Sequence, residues 1–162
     1  MASPTASPER TLEVRRMFTA PREKVFAAWT ERRHLEQWMC NPDGKNVTKY
    51  LEFDLREGGS YVLELLLPDG KKYLNKGTYK LVQPPEKLVF SWAWERFDPA
   101  GNKLSELNDT WVTVEFLARG QWTEVVLTHD FLPDAATRED HQKGWTGCLE
   151  VLAQHLHAQA GS

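Results

Sequence analysis

With 162 residues and a formal net charge of −3, the chain is long enough to bury a domain-sized core and carries no strong excess of either sign. Its Lys and Arg are scattered, which excludes the basic face of a nucleic-acid-binding domain, and no apolar run approaches the roughly 20 residues that a membrane-spanning helix takes. Two cysteines far apart, Cys40 and Cys148, make no disulfide framework and point to a reducing, cytoplasmic compartment.

Residues 1–10, MASPTASPER, are rich in Ser, Pro and Ala and lack the apolar stretch of a secretory signal. A disordered leader is expected there, ahead of a single domain over 11–158. Thr11 to Phe18 alternates as a first strand, with Leu12, Val14 and either Met17 or Phe18 inward. Ala20-Pro21 opens a short helix whose apolar face is Val25, Phe26 and Trp29. Thr30 is placed to cap a second short helix carrying Leu35, Trp38 and Met39, and Asn41-Pro42-Asp43-Gly44 ends it as a turn.

Strands then dominate. Tyr50 to Leu55 precedes a Gly58-Gly59 bend, after which Tyr61, Leu63, Leu65 and Leu67 alternate toward the interior. Pro68-Asp69-Gly70 closes a hairpin. In the strand from Tyr73 to Val82, Tyr79 and Leu81 are expected inside, because the other parity buries Lys80. After Pro84-Pro85 comes Leu88 to Phe97, with Phe90, Trp92 and Trp94 on one face. A polar stretch to Asn108 reads as loop. Val112, Val114 and Phe116 alternate in the next strand, and Val125, Leu127 and His129 share a face of the last.

The C-terminal stretch from Arg138 to His157 is the organising element. Trp145, Cys148, Leu149, Leu152 and Leu156 recur at i, i+3, i+4, i+7 spacing, the apolar stripe of an α-helix. Pro133-Asp134 marks its entrance. Gly144 and Gly147 inside it each cost about 1 kcal/mol relative to Ala, which a helix tolerates where another backbone comes close or where space beside it must stay open. One long helix after a run of strands predicts an α+β domain: an antiparallel sheet curled around that helix.

The chain also resembles a known family. PREKVFAAWTERRHLEQW, the REGGSYVLEL bend and strand, the PDGK hairpin, GTYKLVQPPEKLVFSW, WTEVVLTHDF and HQKGW, in that order, resemble the activator of Hsp90 ATPase homologue-1-like proteins of the START-like, or SRPBCC, group. The resemblance runs from about Thr11 to His157. It implies a helix-grip fold with about seven strands, two short helices after the first strand, and a cavity between sheet and C-terminal helix. Members of the larger group bind lipids, sterols, polyketides and other apolar molecules.

Candidate chemistry is sparse. Ser91, His129 and Asp130 are the nearest set in type to a nucleophile, base and acid, but Ser91 alternates away from Trp92 and the interior. His129 and His141 flank a turn without metal-ligand spacing. Neither a catalytic residue, a metal nor a cofactor is assigned. The expected ligand-binding lining is Tyr61, Leu63, Leu65, Tyr79, Phe90, Trp92, Val112, Val114, His129, Trp145, Leu149 and Leu152, with Trp29 and Trp38 as a gate. Binding of a small hydrophobic or aromatic molecule is the expected function. The alternatives are a cyclase or hydrolase acting on such a molecule, and a chaperone-interacting module. Exposed strand edges also permit a homodimer.

Overall fold

The computed structural model describes residues 10–41 and 43–160; the leader expected over 1–10 falls, except for Arg10, outside them. The elements run β1 (Leu12–Phe18), α1 (Arg22–Thr30), α2 (Arg32–Trp38), β2 (Val47–Phe53), β3 (Ser60–Leu66), β4 (Lys72–Gln83), β5 (Lys87–Phe97), β6 (Lys103–Arg119), β7 (Trp122–Asp130) and α3 (Ala135–Ala160). One antiparallel sheet holds all seven strands in the order β1-β7-β6-β5-β4-β3-β2. This is a helix-grip arrangement, a curved sheet with a long C-terminal helix and two short helices after the first strand.

The topology follows from the connections. Hairpins join each strand from β2 to β7 to its neighbour, while β1 returns to pair with β7, Leu12 opposite His129 and Phe18 opposite Thr123. Consecutive strands β1 and β2 therefore occupy opposite edges, and α1 and α2 carry the chain between them. The sheet's bulges, at Tyr50/Glu52, Tyr79/Leu81, Trp92/Trp94 and Arg96/Phe97, are the local devices that bend and twist such a surface. At Gly77 the backbone itself demands glycine, because a Cβ there would collide with the Ser91 carbonyl and the Tyr61 ring.

Several local expectations change. Phe18, not Met17, turns inward: Phe18 is buried and Met17 is exposed. Thr30 does not cap α2; it ends α1, with its hydroxyl donating to the Phe26 carbonyl (2.8 Å), and Glu31 precedes α2 without a side-chain cap. The first strand after the helices is Val47–Phe53, not Tyr50 to Leu55. The bulge after Tyr79 flips the parity of β4, so Tyr79 is inside but Leu81 pairs with outward Val89, and Val82 joins the core opposite Leu88. The polar stretch before Asn108 is strand, since β6 begins at Lys103 and pairs with β5 through Glu106 and Ser105. Finally, α3 begins three residues before Arg138, where Asp134 accepts the Thr137 N–H at 2.8 Å.

The core lies between the sheet and α3. Leu149 and Leu152, with Trp145 and Cys148, pack onto a layer that includes Leu12, Phe18, Val112, Val114, Phe116, Val125 and Leu127. Each buried aliphatic side chain contributes about 1.5–3 kcal/mol of transfer free energy, so this stripe alone fixes the helix on the sheet. The short helices add an aromatic block. Trp29 and Trp38 meet edge to face with centroids 4.6 Å apart, and Trp29 also contacts Phe116 and Trp145.

Candidate functional site

Toward the N-terminal half of α3 the helix stops filling the trough. Thr137, Asp140, His141, Gly144, Trp145 and Cys148, one face of the helix at three- and four-residue spacing, line a recess of about 400 Å³. Opposite them stand alternate residues of the strands: Tyr73 and Asn75 on β4, and Trp92, Trp94 and Arg96 on β5, with Leu65 and Leu67 from β3 and the turn after it. Cys40 and Asn46, from the α2–β2 connection, complete the wall. The β5 set stays in phase because the extra residue of the Trp92/Trp94 bulge lies on β6, where Thr110 and Leu107 are the partners.

Gly144 leaves the space: a Cβ placed on it would meet no atom within 4 Å. Of the two sequence reasons for glycine in this helix, open space beside it applies to this one. Cys40 turns the chain after α2 with a left-handed φ of 54°, a conformation costing a non-glycine residue about 1–3 kcal/mol. That turn is held by the Asn46 side chain, which donates to the Cys40 carbonyl at 3.1 Å.

Burial pushes the Cys40 thiol well up and the Cys148 thiol up to about 12, so both stay protonated and are poor nucleophiles. The Trp94 indole N–H donates to His141 Nε2 (3.3 Å), which leaves His141 Nδ1 to donate to the Thr137 carbonyl (2.9 Å). Burial holds the His141 pKa below its usual value, keeping that arrangement neutral.

Three polar atoms on this wall have no protein partner: Asn75 Oδ1, Trp92 Nε1 and Arg96 Nε. Asn75 and Trp92 are themselves 5% and 6% exposed. The other end of the Asn75 amide meets only the Cys40 sulfur, at 3.8 Å. A buried polar group without a hydrogen bond costs about 1–3 kcal/mol, and here three belong to residues that line one recess.

Behind the recess, beyond Trp92 and Trp145, His129 and its partners use their polar groups fully. The Trp145 indole can only donate, so His129 Nδ1 is its acceptor, at 3.1 Å. The His129 proton is therefore on Nε2, which donates to the Thr110 hydroxyl at 2.6 Å, and that hydroxyl donates to the Trp92 carbonyl at 2.8 Å. Burial, with His141 adding a smaller electrostatic push, drives the His129 pKa well below its usual value. His129 thus has no free lone pair to act as a base. Ser91 and Asp130 are engaged as well, the first accepting the Thr78 N–H (2.9 Å), the second accepting from the Thr11 hydroxyl (3.0 Å).

Of the lining expected from sequence, Leu65, Trp92 and Trp145 border the recess. Tyr61, Leu63, Tyr79, Phe90, Val112, Val114, His129, Leu149 and Leu152 are packed in the core, and Trp29 and Trp38 are buried with them. Asn75, Trp94, Arg96, His141 and Gly144 border the recess without having been singled out as binding residues. The sequence held the signal for two of these, since Trp94 and Arg96 continue the Phe90–Trp92 alternation. Among the described residues no group of three or more His, Cys, Asp or Glu is placed to hold a metal ion, and no helix is long and apolar enough to cross a membrane.

A seven-stranded antiparallel sheet gripping a C-terminal helix defines the START-like class. Within it, residues 19–157 match the family described as Activator of Hsp90 ATPase homolog 1-like protein, and the chain belongs to that family. It is similar in structure to a protein of Chromobacterium violaceum (26% identity, 90% of this chain and 96% of that one, TM-score 0.75). An AHSA1 protein of Silicibacter pomeroyi (24%, 92% and 99%, TM-score 0.76) and a Nitrosomonas europaea protein (18%, 96% and 99%, TM-score 0.76) share the fold. No functionally curated protein matches the chain.

Proposed function

We propose that this protein binds a small, mainly aromatic or apolar molecule in the recess between β3–β5 and the N-terminal half of α3. The observation that carries this reading is that three residues lining one aromatic-walled recess, Asn75, Trp92 and Arg96, each hold a buried polar atom without a protein partner. Small-molecule sites have this composition, an apolar wall with a few polar groups that fix orientation, and about 400 Å³ lies within their size range. Many START-like proteins hold hydrophobic ligands, which agrees with it.

The alternatives have less to build on. A cyclase or hydrolase needs a base within reach of its substrate, and His129 and His141 have both ring nitrogens engaged. A chaperone-docking role needs an unusually large exposed apolar patch, and the exposed large hydrophobics divide between opposite ends of the sheet, Val47, Leu51 and Leu66 on β2–β3 and Met17 and Trp122 on β1 and β7, with Leu104 on β6.

A library of small aromatic molecules tested by thermal shift decides the matter, because a ligand that binds only the native state raises its melting temperature. Gly144→Leu, which fills the recess from the helix side, is expected to abolish the shift while the variant itself still melts cooperatively. A shift that is unchanged in Gly144→Leu would place the ligand elsewhere.

A further inference from the structure

Building on the binding reading, without which it falls, we infer that the ligand is an aromatic carboxylate, or a similar planar acid, whose anionic head is received by Arg96. Arg96 lies opposite Tyr73 in the β4–β5 register and in the same row as Trp92 and Trp94. Its Nε is buried without a hydrogen bond, and the guanidinium forms no ion pair with any described carboxylate. Arg96 is half-buried as a whole, so Nε is the part that loses hydration without a hydrogen bond in return, while the rest of the fork stays available to a ligand.

The nearby acids are committed to other partners. Glu95, which alternates to the other side of β5, meets Lys76 (3.5 Å) and Lys103 (3.1 Å), and Glu106 meets Lys103 at 2.7 Å. Glu64 faces Lys72 at 3.9 Å, and Asp98 accepts the backbone N–H groups of Ala100 and Asn102. On the wall itself the charged groups are Arg96 and, across on α3, Asp140. An incoming carboxylate supplies what Arg96 lacks: two coplanar oxygens for a bidentate pair. Trp92 and Trp94 form the aromatic part of the same wall, beside which a planar body packs. Asp140 opposes the preference, because it repels the same anion from the helix side.

Naphthoate, naphthylmethanol and naphthylmethylamine share a ring system and differ in head group, so they separate charge from shape. Titrations followed by tryptophan fluorescence and calorimetry are expected to give naphthoate an affinity about ten- to a hundredfold above that of the alcohol, the range of a charge-assisted hydrogen bond. The amine, repelled by Arg96 but attracted by Asp140, is expected to bind more weakly than naphthoate. Arg96→Gln should bring naphthoate down to the level of the alcohol, Arg96→Lys should keep part of the preference, and Asp140→Asn should strengthen naphthoate a few-fold. Equal affinity of acid and alcohol for the unmodified protein, or a preference that survives Arg96→Gln, overturns the anion assignment and leaves the binding reading standing. If none of the three binds, and Gly144→Leu behaves like the unmodified protein, both fall. Should Arg96→Gln fail to fold, the acid-to-alcohol ratio and the Asp140→Asn response decide alone.

Discussion

Two polar regions meet back to back at Trp92 and Trp145. Behind those rings, His129, Thr110 and the Trp145 indole form a closed chain in which every donor has an acceptor. In front of them, Asn75, Trp92 and Arg96 each hold a buried polar atom with none. The same strands and the same helix build both, so the difference comes from what α3 offers. Leu149 and Leu152 fill the trough on one side, whereas Gly144 leaves it open on the other. A satisfied buried network makes a core rigid, and an unsatisfied one costs stability unless something arrives to complete it.

The partition itself is the place to break this contrast most severely. Trp145→Ala removes a buried indole that contacts Trp29 and Trp92 and is expected to cost about 3–5 kcal/mol in chemical denaturation. Trp145→Phe keeps most of the packing but leaves His129 Nδ1 without its donor, and Thr110→Val takes the acceptor from Nε2. Each of these is expected to cost about 1–3 kcal/mol.

Acid tests the buried histidines next. His129, His141 and His155 all have folded-state pKa values below the ordinary 6.5, each through burial first. Near and below 6.5 the unfolded chain therefore binds more protons than the native one, and stability rises with pH in that window. The histidine contribution is complete above about 6.5, the unfolded value, and is lost as pH falls toward and through the lowered folded values. Asp98, Asp134 and Glu95, whose pKa values are also lowered, act in a separate window below their unfolded values of 3.8 to 4.5. Denaturation midpoints measured from about pH 7.5 to about 5 should decline, and His129→Gln should flatten that decline although it lowers the starting stability.

The architecture was legible because its signals are periodic. The α3 stripe from Trp145 to Leu152, the Phe90–Trp92–Trp94 face and the two short helices all appear as repeats of 3.6 or 2. What alternation cannot encode is an added residue: the bulge after Tyr79 moved Leu81 to the outer side and Val82 inward. The polar run that becomes the start of β6 was unreadable for a related reason, since its pairing with β5 is made by backbone groups and charged side chains rather than by apolar ones. For the recess, inwardness was readable but emptiness was not. Phe90 and Trp92 point to the same face, yet only Trp92 reaches the opening, because that depends on which α3 residue stands opposite. The anomalous Gly144 was the one direct trace of the space.

That trace gives a milder test. Gly144→Ala adds a methyl group where no atom lies within 4 Å and removes the helix penalty of glycine. A stabilisation of about 1 kcal/mol is expected, together with weaker ligand binding, because the methyl takes volume from the recess. A loss of stability would mean that the helix needs glycine for its own backbone, and that the space beside it is incidental.

The smallest expected effect bears most directly on the contrast, because it concerns sign rather than size. Leucine has nearly the shape of asparagine, so Asn75→Leu deletes an amide with an unpartnered end while leaving the packing much as it was. Replacing an unsatisfied polar group by an apolar one of similar shape is neutral to stabilising, and a gain of up to about 1 kcal/mol is expected in the free protein. The comparable change behind the partition, Thr110→Val, goes the other way. If the recess is a site held ready for a ligand, stability gained at Asn75 must be accompanied by affinity lost there, the trade found where polar groups are kept unpaired for function. Melting curves of Asn75→Leu with and without ligand read both quantities together. A destabilised variant would mean that the Cys40 contact or bound solvent already satisfies Asn75, and the front of the partition would then be as complete as the back.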